Sequence, residues 1–490
     1  MCASPVRREN QIVRLGLYFT SNRQGEVEPC GCQVNQIGGL SRMKSYLEMD
    51  AINRPGEKPL FVDSGDTFFS SSILPKGRVP YEMDRARLIS QAYRKFGVEY
   101  FGPGERDFAA GVKGLRELED LSGAQFISSN LADTAGVWLF KRYVVISKNG
   151  LKIGLFSLAD ENAFSDIKEV KPKPYRDVVQ SMINEMKGQG AEVLILLSHL
   201  GLNLDREVAN DFKPDIIVGS HSMDALSKPL WVGKTLIVQP HHEGQQIGVL
   251  DYSPQESEKS TLRLVDLGSE YDRPNEVASL VDSFREKVRS LGIETSNQII
   301  ETTAERPFVA HPYQCRSCHQ KQYDFWEKTK HSSAYLVLYS KNQHFDPECI
   351  SCHSLGFQSA GGFFRIAEPL VVAGPHLPKT PFVEELMKKV FIGEKAHVAL
   401  DSRKEPKRFA GLQKRYIREI RSLEERDKIQ KLYIGVQCEH CHGNRQGHPA
   451  VPVRKGVSEA SCRVCHSPPN DEDFDFKSVK RVGCPRSKKL

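Results

Sequence analysis

The stretch Leu60-Phe61-Val62-Asp63-Ser64-Gly65-Asp66 joins a short apolar run to a polar turn. The run predicts a buried strand over Leu60–Val62. Similar runs recur through residues 11–240 and alternate with segments of helical spacing. Further strands are predicted at Ile12–Thr20, Gln125–Ser128, Lys152–Ser157, Val193–Leu197, Ile216–Val218 and Thr235–Val238. This alternation indicates an α/β fold with functional residues in loops beyond the carboxyl ends of the strands.

Two helices are indicated by apolar residues at helical spacing. The first helix has one apolar face, formed by Val178, Val179, Met182, Ile183 and Met186. The second follows Pro274 and is expected to stop at Gly292. We interpret residues 271–305 as a helical connector between two domains.

Short motifs follow one another in a recognisable order through residues 11–250. They are Phe61-Val62-Asp63-Ser64-Gly65-Asp66, Gly104–Phe108, Ser129-Asn130, Leu197-Ser198-His199-Leu200-Gly201, Gly219-Ser220-His221, and Gln239 to Gly248. In order and spacing they resemble the calcineurin-like metallophosphatase domain of 5′-nucleotidases and the related thiosulfohydrolase. The resemblance implies an α/β, metallophosphatase-like sandwich over residues 1–270.

That family uses two metal ions to clamp a phosphoryl group and activate water. Its ligand motifs fall here at Asn22 and Gln24, at Gly104-Glu105-Arg106-Asp107, and at Ser220-His221-Ser222-Met223. The ligands of one ion would be Asn22, Gln24, Asp66 and Met223, a poor set for a hard divalent ion. The ligands of the other would be Asp66, Glu105, His199 and His221, which are competent. The resemblance therefore implies at most one divalent ion and a disabled two-metal hydrolase, with Arg106 replacing the family's transition-state histidine.

A C-x-C pattern, Cys30-Gly31-Cys32, follows the altered first metal motif. Two cysteines in an active-site loop can ligate a metal, form a redox couple or hold a persulfide. The alternative is a structural pair of thiols or a strained disulfide. The sequence leaves both interpretations open.

Nine of the 12 cysteines lie after residue 314, and eight of these belong to four copies of the pattern C-x-x-C-H. The copies are Cys315-Arg316-Ser317-Cys318-His319, Cys349-Ile350-Ser351-Cys352-His353, Cys438-Glu439-His440-Cys441-His442 and Cys462-Arg463-Val464-Cys465-His466. Two thiols three positions apart reach both vinyl groups on one porphyrin edge, and the next residue places an imidazole over the iron. A zinc site is disfavoured because a histidine follows every pair. The motifs predict four covalent c-type haems with proximal ligands His319, His353, His442 and His466.

Each haem iron has a second axial position. Besides His440, which lies inside a motif, six histidines are candidate distal ligands: His331, His448, His311, His376, His344 and His397. Two histidine ligands give a closed, low-spin iron suited to electron transfer, whereas a vacant position could bind a substrate.

Residues 306–490 resemble the tetrahaem cytochromes that take electrons from hydroxylamine oxidoreductase, and the broader multihaem family around them. The matching segments are Cys315–His319, Phe325-Trp326, Lys330-His331-Ser332-Ser333-Ala334, Gly435–Gly443 with His448, and Phe474-Asp475-Phe476. The resemblance implies a mainly α or irregular multihaem domain in which His331 and His448 are distal ligands. A further histidine of the family is replaced by Gly483-Cys484-Pro485. One haem therefore lacks this ligand or takes Cys484 or another histidine, unless Cys484 is a plain thiol.

The residue pattern changes after about residue 306: strand patterns disappear, and cysteine, histidine and loop residues dominate. Covalent haem is expected to replace much of the apolar core there. Residues 379–433 interrupt the domain with a charged helical stretch that includes Lys414–Glu425. We interpret this insertion as a solvated surface helix or a docking arm.

The haem motifs imply export, because c-type haem is attached on the outer side of the cytoplasmic membrane. We expect a periplasmic or cell-surface protein whose targeting segment was removed. Cys2 stands where a mature lipoprotein begins, so a lipidated, membrane-attached Cys2 competes with an ordinary terminal cysteine. No run of about 18 apolar residues predicts a membrane-spanning helix. The net charge of +6 over 490 residues does not indicate nucleic acid binding.

Three functions are compatible with these motifs. We favour an electron-transfer protein that works with redox partner proteins, either other cytochromes or a membrane oxidoreductase, and uses its phosphatase-derived domain for binding or docking. The second is a redox enzyme acting on a small sulfur or nitrogen compound at a haem or at Cys30 and Cys32. The third is a metal-dependent phosphoesterase or 5′-nucleotidase with attached haems. An open axial site would favour the second, and intact ligands at both metals would favour the third.

Overall fold

The computed structural model describes residues 14–29, 36–74, 79–222, 224, 226–294, 308–357, 359, 362–363, 371–373, 382–396, 398, 400, 404–425, 429–443, 457–466 and 474–479. The chain forms two compact units, Met1–Phe284 and Arg285–Leu490. Their boundary falls inside the interval that the sequence predicts to be a connector. No helix within the described ranges is long and apolar enough to cross a membrane.

The first unit alternates strands and helices. Its strands are β1 (Leu15–Thr20), β2 (Leu60–Asp63), β3 (Tyr100–Phe101), β4 (Gln125–Phe126), β5 (Tyr143–Lys148), β6 (Leu151–Ala159), β7 (Val193–His199), β8 (Ile216–Val218), β9 (Leu230–Val232), β10 (Thr235–Val238), β11 (Gln246–Tyr252) and β12 (Thr261–Asp266). Its helices are α1 (Leu40–Asn53), α2 (Val79–Phe96), α3 (Gly111–Ser122), α4 (Tyr175–Gly188), α5 (Leu202–Asp211) and the start of α6 (Glu276–Glu294). Short 3₁₀ helices lie at Arg106–Phe108, Glu161–Phe164, Ser257–Lys259 and Ser269–Tyr271.

Two six-stranded sheets form the centre of this unit, in the orders β12-β11-β1-β2-β3-β4 and β5-β6-β7-β8-β10-β9. Neighbours from β1 to β4 are parallel, as are β6, β7, β8 and β10. The strands β11, β12, β5 and β9 pair antiparallel. Parallel order brings the carboxyl ends of the central strands to one edge of each sheet, where ligand sites form.

Alternate residues of each central strand pack into two different cores, as the two-residue period of a strand requires. On β7, the residues packed between the sheets are Val193, Ile195 and Leu197. Leu194 and Leu196 pack instead beside α4 and α5. The outer face of the other sheet packs against α1, α2 and α3. The layers are therefore helix, sheet, sheet and helix.

The α/β fold class is confirmed, and every predicted strand overlaps an observed strand. The predictions missed β5, β9 and β12, which lie at sheet edges. The strand β12 alternates between exposed and half-buried residues and therefore lacks a continuous apolar run. Two further missed strands are the two-residue β3 and the internal β11. Helix α6 continues two residues past the predicted stop at Gly292, to Glu294.

The second unit is mainly helical. Its helices are α7 (Pro312–Trp326), α8 (Ala334–Ser340), α9 (Pro347–His353), α10 (Phe382–Val390), α11 (Pro406–Glu425), α12 (Cys438–His442), α13 (Glu459–Arg463) and α14 (Phe476–Val479), with a 3₁₀ turn at His331–Ser333. The strands β13 (Val371–Ala373) and β14 (Ile429–Leu432) form an antiparallel pair. The expectation that strands disappear after residue 306 is therefore wrong in this one place.

The interpretation of residues 379–433 as a solvated helix or docking arm is wrong. Helices α10 and α11 contribute fully or almost fully buried side chains to the core of the second unit: Leu386, Met387, Val390, Leu412, Tyr416 and Ile420. The charges of α11 occupy its other face, as in any amphipathic helix packed on a core. These helices supply much of the apolar core that covalent haem was expected to replace.

Candidate functional site

The candidate metal ligands of the first unit follow the carboxyl ends of strands in both sheets. Asp66 lies three residues after β2, and Glu105 lies four residues after β3. His199 is the last residue of β7, and His221 lies three residues after β8. The fold thus brings together the four residues that the sequence predicts as one metal set.

Backbone geometry at Asp66 and Gly104 makes this convergence possible. Asp66 has a φ of +55° and follows Gly65 with a φ of +90°. Left-handed backbone at a residue other than glycine is uncommon and typical of functional sites. A Cβ on Gly104 would lie 2.4 Å from His199 Cε1 and 2.5 Å from Asp66 Oδ1. Only glycine allows the chain to approach the cluster this closely.

His199 is fully buried and presents one nitrogen to two carboxylates. Its Nδ1–H donates to the Ser64 carbonyl at 3.0 Å. Its Nε2 lies 2.8 Å from Glu105 Oε2 and 3.3 Å from Asp66 Oδ1. A backbone carbonyl on Nδ1 fixes the tautomer that leaves Nε2 available to a metal, as is usual for metal-bound histidines.

Glu105, His199 and His221 offer ligand atoms that all lie within 4.8 Å of one another. His221 Nδ1 lies 3.4 Å from Glu105 Oε2, and His221 adopts a φ of +69°. Three potential ligand atoms this close need a cation between them, either a metal ion or a proton. The donor set of one carboxylate and two imidazoles, with the Asp66 carboxylate beside it, fits one divalent ion.

The electrostatics of the same groups indicate how strongly the pocket favours positive charge. Burial disfavours an imidazolium, but the carboxylates of Asp66 and Glu105 outweigh burial and raise the pKa of His199 well above its usual value. Burial would likewise raise the pKa of Glu105, but His199 and His221 outweigh it and lower this pKa. In the absence of metal, the proton on His199 takes the place of the cation.

Arg106 follows Glu105 and binds Asp66 from the other side. Its backbone N–H donates to Asp66 Oδ1 at 3.0 Å, and its Nε lies 3.1 Å from Asp66 Oδ2. Its Nη1 donates to the Ser70 carbonyl at 3.2 Å. The side chain is 26% exposed, so the guanidinium is held in place yet remains accessible.

Asn22 and Gln24, the altered residues of the first metal motif, retain the left-handed backbone of a site loop, with φ values of +49° and +56°. The Asn22 side-chain amide is hydrogen-bonded to other residues of the protein. Its Oδ1 accepts from Ser220 Oγ at 2.8 Å and from the His221 N–H at 3.2 Å, and its Nδ2 donates to the Ser222 carbonyl at 3.2 Å. It therefore bridges two loops.

Asp107 is buried and supports the site. It belongs to the motif Gly104–Phe108, but the sequence pattern assigns it no role. Its carboxylate accepts hydrogen bonds from the backbone N–H groups of Asp66, Thr67, Phe68 and Gly104 at 2.8 to 3.0 Å. Burial, followed by the nearby Asp66 carboxylate, raises the pKa of Asp107 to about 7. It positions the two loops that hold Asp66 and Glu105.

The sequence interpretation missed His241 and His242. Their Nδ1 atoms lie 2.9 Å apart, and burial, His241 and Arg106 together lower the pKa of His242 to about 4. His242 is therefore neutral and close enough to feel the charge of Arg106. The sequence feature that could have identified them is their position as adjacent histidines inside the Gln239 to Gly248 motif.

In the second unit, each C-x-x-C-H motif lies on a helical turn. The first is part of α7, which kinks at His319, and the second is the end of α9. The third forms α12, and the fourth begins in α13 and continues through backbone hydrogen bonds from Cys465 and His466 to the Cys462 carbonyl. A helical turn places side chains three positions apart on one face, as both thiols of a motif require.

Two of the predicted haem ligands, His353 and His331, have defined surroundings. The Nδ1–H of His353 donates to the Ala334 carbonyl at 2.7 Å, which leaves Nε2 available. The rings of His331 and His466 have centroids 6.0 Å apart. Two imidazoles at this separation could both bind one metal ion whose bonds to nitrogen are about 2 Å long. Burial, followed by His466 and His353, lowers the pKa of His331, so it is neutral as a ligand must be.

Other histidines of this unit have different surroundings. Both nitrogens of His440 are used, because Nδ1 accepts the Gln437 N–H at 3.0 Å and Nε2–H donates to the Ser354 carbonyl at 3.1 Å. His344 packs on Tyr339, and its Nε2 lies 3.4 Å from Glu384. His311 is buried at the start of α7. His440 is thus a structural residue.

The remaining candidates lie outside the described residues. They are Cys2, Cys30, Cys32, Met223, His376, His397, His448 and Cys484. Their roles stay predictions from the sequence.

Comparisons with known proteins agree with both halves of this description. Residues 314–374 match the family of cytochrome c554 and c-prime. The chain is 25% identical over 238 residues to the NAD 5′-nucleotidase of Haemophilus influenzae, covering 45% of this chain and 38% of that protein. It is 22% identical over 283 residues to a 5′-nucleotidase of Vibrio parahaemolyticus, covering 50% of this chain and 47% of that protein. The match thus spans less than half the length of either relative.

Among solved structures, the NAD nucleotidase of Haemophilus influenzae superposes with a TM-score of 0.52 at 16% identity, covering 79% of this chain and 81% of that chain. At this identity the likeness concerns the fold. The first unit therefore has the mixed α/β, metallophosphatase-like fold of the 5′-nucleotidases, and the second contains a segment that matches the cytochrome c554 family.

Proposed function

We propose that this protein is an exported multihaem c-type cytochrome that transfers electrons, and that its phosphoesterase-like unit binds a ligand or partner without hydrolysing phosphate esters. The observation that best supports the electron-transfer role is the pair His331 and His466, whose ring centroids are 6.0 Å apart. Two histidine ligands close an iron to substrates and leave it suited to electron transfer.

The residues of the second unit fit covalent haem. The four motifs lie on helical turns, and the Nδ1–H of His353 is held by a backbone carbonyl so that Nε2 can bind iron. A bound haem supplies a one-electron iron couple. The paired thiols would attach the porphyrin and each proximal imidazole would bind its iron, while α8, α10 and α11 contribute to the apolar core of this unit.

Segments that are distant in sequence meet around His331. The Trp326 Nε1–H donates to the Val436 carbonyl at 2.8 Å, and the Val436 N–H donates to the His331 carbonyl at 3.1 Å. The Gly435 N–H donates to the His353 carbonyl at 2.9 Å. Because these bonds fix His331 between the second and third motifs, the backbone supports its proposed role as a distal ligand.

Loss of hydrolysis is supported by the residues beside Asp66. Hydrolysis by a two-metal site needs both the attacking and the leaving oxygen to be clamped. Asn22 uses its amide to bridge the loop at Ser220–Ser222, and Arg106 pairs with Asp66 Oδ2. These residues support one divalent ion at Glu105, His199 and His221, and no second one.

Location and partners are parts of the same proposal. Attachment of c-type haem takes place outside the cytoplasm, so we propose a periplasmic or cell-surface location. Redox partner proteins, either other cytochromes or a membrane oxidoreductase, would deliver and remove the electrons.

The central claim can be tested on the haem-loaded full chain by counting haems and their spin states. We expect four haems per chain that resist extraction into acidified acetone. His331→Ala should convert one haem per chain from low to high spin in the electron paramagnetic resonance spectrum. His440→Ala is the matched control, since both of its nitrogens already bind backbone groups.

Two results would contradict this proposal. Haem that extracts freely would exclude covalent attachment. Unchanged spin states in His331→Ala would show that His331 is not a distal ligand, and a high-spin haem in His440→Ala would transfer that role to His440.

A further inference from the structure

The Asp66 carboxylate lies between His199 and Arg106, with one of these side chains on each oxygen. Oδ1 lies 3.3 Å from His199 Nε2, on the side of Glu105. Oδ2 lies 3.1 Å from Arg106 Nε. The sequence resemblance assigns Asp66 to both metal ions of the family, and the Arg106 guanidinium binds the oxygen of this carboxylate that does not face His199.

We propose that Arg106 takes the place of the second metal ion, and that its guanidinium and one divalent ion at Glu105, His199 and His221 form a subsite that binds a tetrahedral oxyanion without hydrolysing it. This inference rests on the proposed binding role of the first unit. It goes further in naming the ligand class and the residue that replaces the ion.

The charge balance of the site supports an anionic ligand. With a divalent ion bound, its two charges and that of Arg106 exceed those of Asp66 and Glu105 by one. Without the ion, the two carboxylates of Asp66 and Glu105 outnumber the single positive charge of Arg106. Oxyanion binding should therefore depend on the divalent ion, although Arg106 is present in both states.

The accessible side of the site carries Arg106 and His221 rather than the two carboxylates. The side chains of Asp66 and Glu105 are 2% and 12% exposed, whereas those of Arg106 and His221 are 26% and 30% exposed. A ligand approaching from solvent therefore meets Arg106 and His221 before it meets the carboxylates. Such an arrangement attracts anions and shields them from the buried negative charges.

The Arg106 side chain is held by hydrogen bonds and ion pairs, and part of its guanidinium can still donate hydrogen bonds to a ligand. Its Nε is used by Asp66 and its Nη1 by the Ser70 carbonyl, whereas Nη2 makes no hydrogen bond within the described part of the chain. A planar guanidinium with unused N–H groups suits the paired oxygens of phosphate or sulfate. It cannot activate water, which explains how binding can persist where hydrolysis is lost.

The inference can be tested by counting Mn²⁺ ions and then measuring oxyanion binding. The haem-loaded full chain is stripped with a chelator and titrated with Mn²⁺, and unbound Mn²⁺ is measured by electron paramagnetic resonance. We expect one Mn²⁺ per chain. Inorganic phosphate is then titrated calorimetrically with and without Mn²⁺, and we expect binding only with Mn²⁺. Sulfate and acetate titrations show whether the site prefers phosphate, another tetrahedral anion, or any anion.

Three variants separate charge, shape and general effects. R106Q should weaken phosphate binding by about tenfold or more, the usual effect of losing a charged hydrogen-bond donor. R106K keeps the charge without the planar fork and should fall between R106Q and the unchanged protein. R176Q is the matched control, because Arg176 makes surface ion pairs with Glu207 and Asp211 on α5; it should bind phosphate normally.

Several outcomes would overturn the inference. Two bound Mn²⁺ ions would show that Arg106 replaces nothing. Equal phosphate affinity in R106Q and R176Q would reduce Arg106 to an ion-pair partner of Asp66, and tighter binding of acetate than of phosphate would exclude a tetrahedral subsite. Release of phosphate from esters by the unchanged protein would instead contradict the proposed function, whatever the Mn²⁺ count.

Discussion

Gly104 leaves no room for a side chain beside the metal-ligand cluster. An added Cβ would lie within 2.5 Å of atoms of both His199 and Asp66. Neither neighbour can withdraw easily, because His199 is bonded to the Ser64 carbonyl and Asp66 to Arg106. A single methyl group must therefore displace the ligands or the loop that supports them.

We expect Gly104→Ala to lower Mn²⁺ affinity and to cost about 1–3 kcal/mol of unfolding free energy, the usual cost of overpacking. Urea unfolding and Mn²⁺ titration of the haem-loaded chain would measure both effects. Gly188→Ala is the control, because Gly188 ends α4 with no atom within 4 Å of an added Cβ. Equal Mn²⁺ affinity in the two variants would mean that the ligands can rearrange around the methyl group.

Asp205, on α5, is a buried carboxyl group near the same strand end. Ser198 Oγ donates to its Oδ1, and Oδ2 has no hydrogen-bond partner among the described residues. Burial raises the pKa of Asp205 to about 7, although Ser198 and His199 act in the opposite direction. The unfolded chain titrates near the ordinary value for Asp, about 3.9. Between these pH values the folded state holds a proton that the unfolded state has lost.

Stability should therefore fall as pH rises from about 4 to 7, with a slope of at most about 1.4 kcal/mol per pH unit from this group. Asp205→Asn cannot titrate, so it should remove this contribution and flatten the pH dependence. The measurement is the urea midpoint of each protein across this range. Asp211→Asn, on the exposed face of α5, should retain the original slope; an unchanged slope in Asp205→Asn would show that the Asp205 carboxyl group is already ionised.

At the scale of the element, helix α11 shows that charge content does not determine whether a helix is exposed. It contains the charged stretch Lys414–Glu425, yet Leu412, Tyr416 and Ile420 recur every four residues and are buried. Arg421 adds an ion pair with Glu327. The helix is therefore part of the structural core of the second unit.

Leu412→Ala should cost about 2–5 kcal/mol of unfolding free energy, the usual range for a fully buried leucine. Lys414→Ala, on the exposed face two residues away, should change it by less than about 0.5 kcal/mol. Thermal unfolding followed by circular dichroism would compare the two variants. Similar small effects in both would restore the interpretation of this helix as a solvated arm.

The sequence predicts elements best where one physical pattern dominates. The buried strands β7, β8 and β10 are continuous apolar runs, and they were located to within two residues. The half-exposed edge strand β12 lacks such a run and was missed. The set Asp66, Glu105, His199 and His221 was predictable because each residue stands at a motif position of the family that the sequence resembles. The ion pair between Arg106 and Asp66 was not predictable, since it depends on side-chain geometry that the sequence does not give.

At the scale of the whole molecule, the first unit has the fold of a phosphoesterase, and the sequence resemblance places altered residues at some of its metal-ligand positions. Gly104 and Asp107 still shape the loops that hold Asp66. Asn22 has become a bridge to the loop at Ser220–Ser222, and Arg106 has become an ion-pair partner of Asp66. In the same chain, the second unit has four helical turns that present paired cysteines. A scaffold retained with altered ligands is more consistent with binding than with hydrolysis.

We therefore expect the haem-loaded chain to release little or no phosphate from nucleotides or simple phosphate esters, even with added Mn²⁺ or Zn²⁺. One ion at Glu105, His199 and His221 cannot clamp both the attacking and the leaving oxygen, and the guanidinium of Arg106 supplies no metal-bound water. The measurement is phosphate release with each metal in turn, beside Asp66→Ala as the control. Turnover above about 1 per second, within the ordinary range of enzymes, that disappears in Asp66→Ala would establish this unit as an active phosphoesterase.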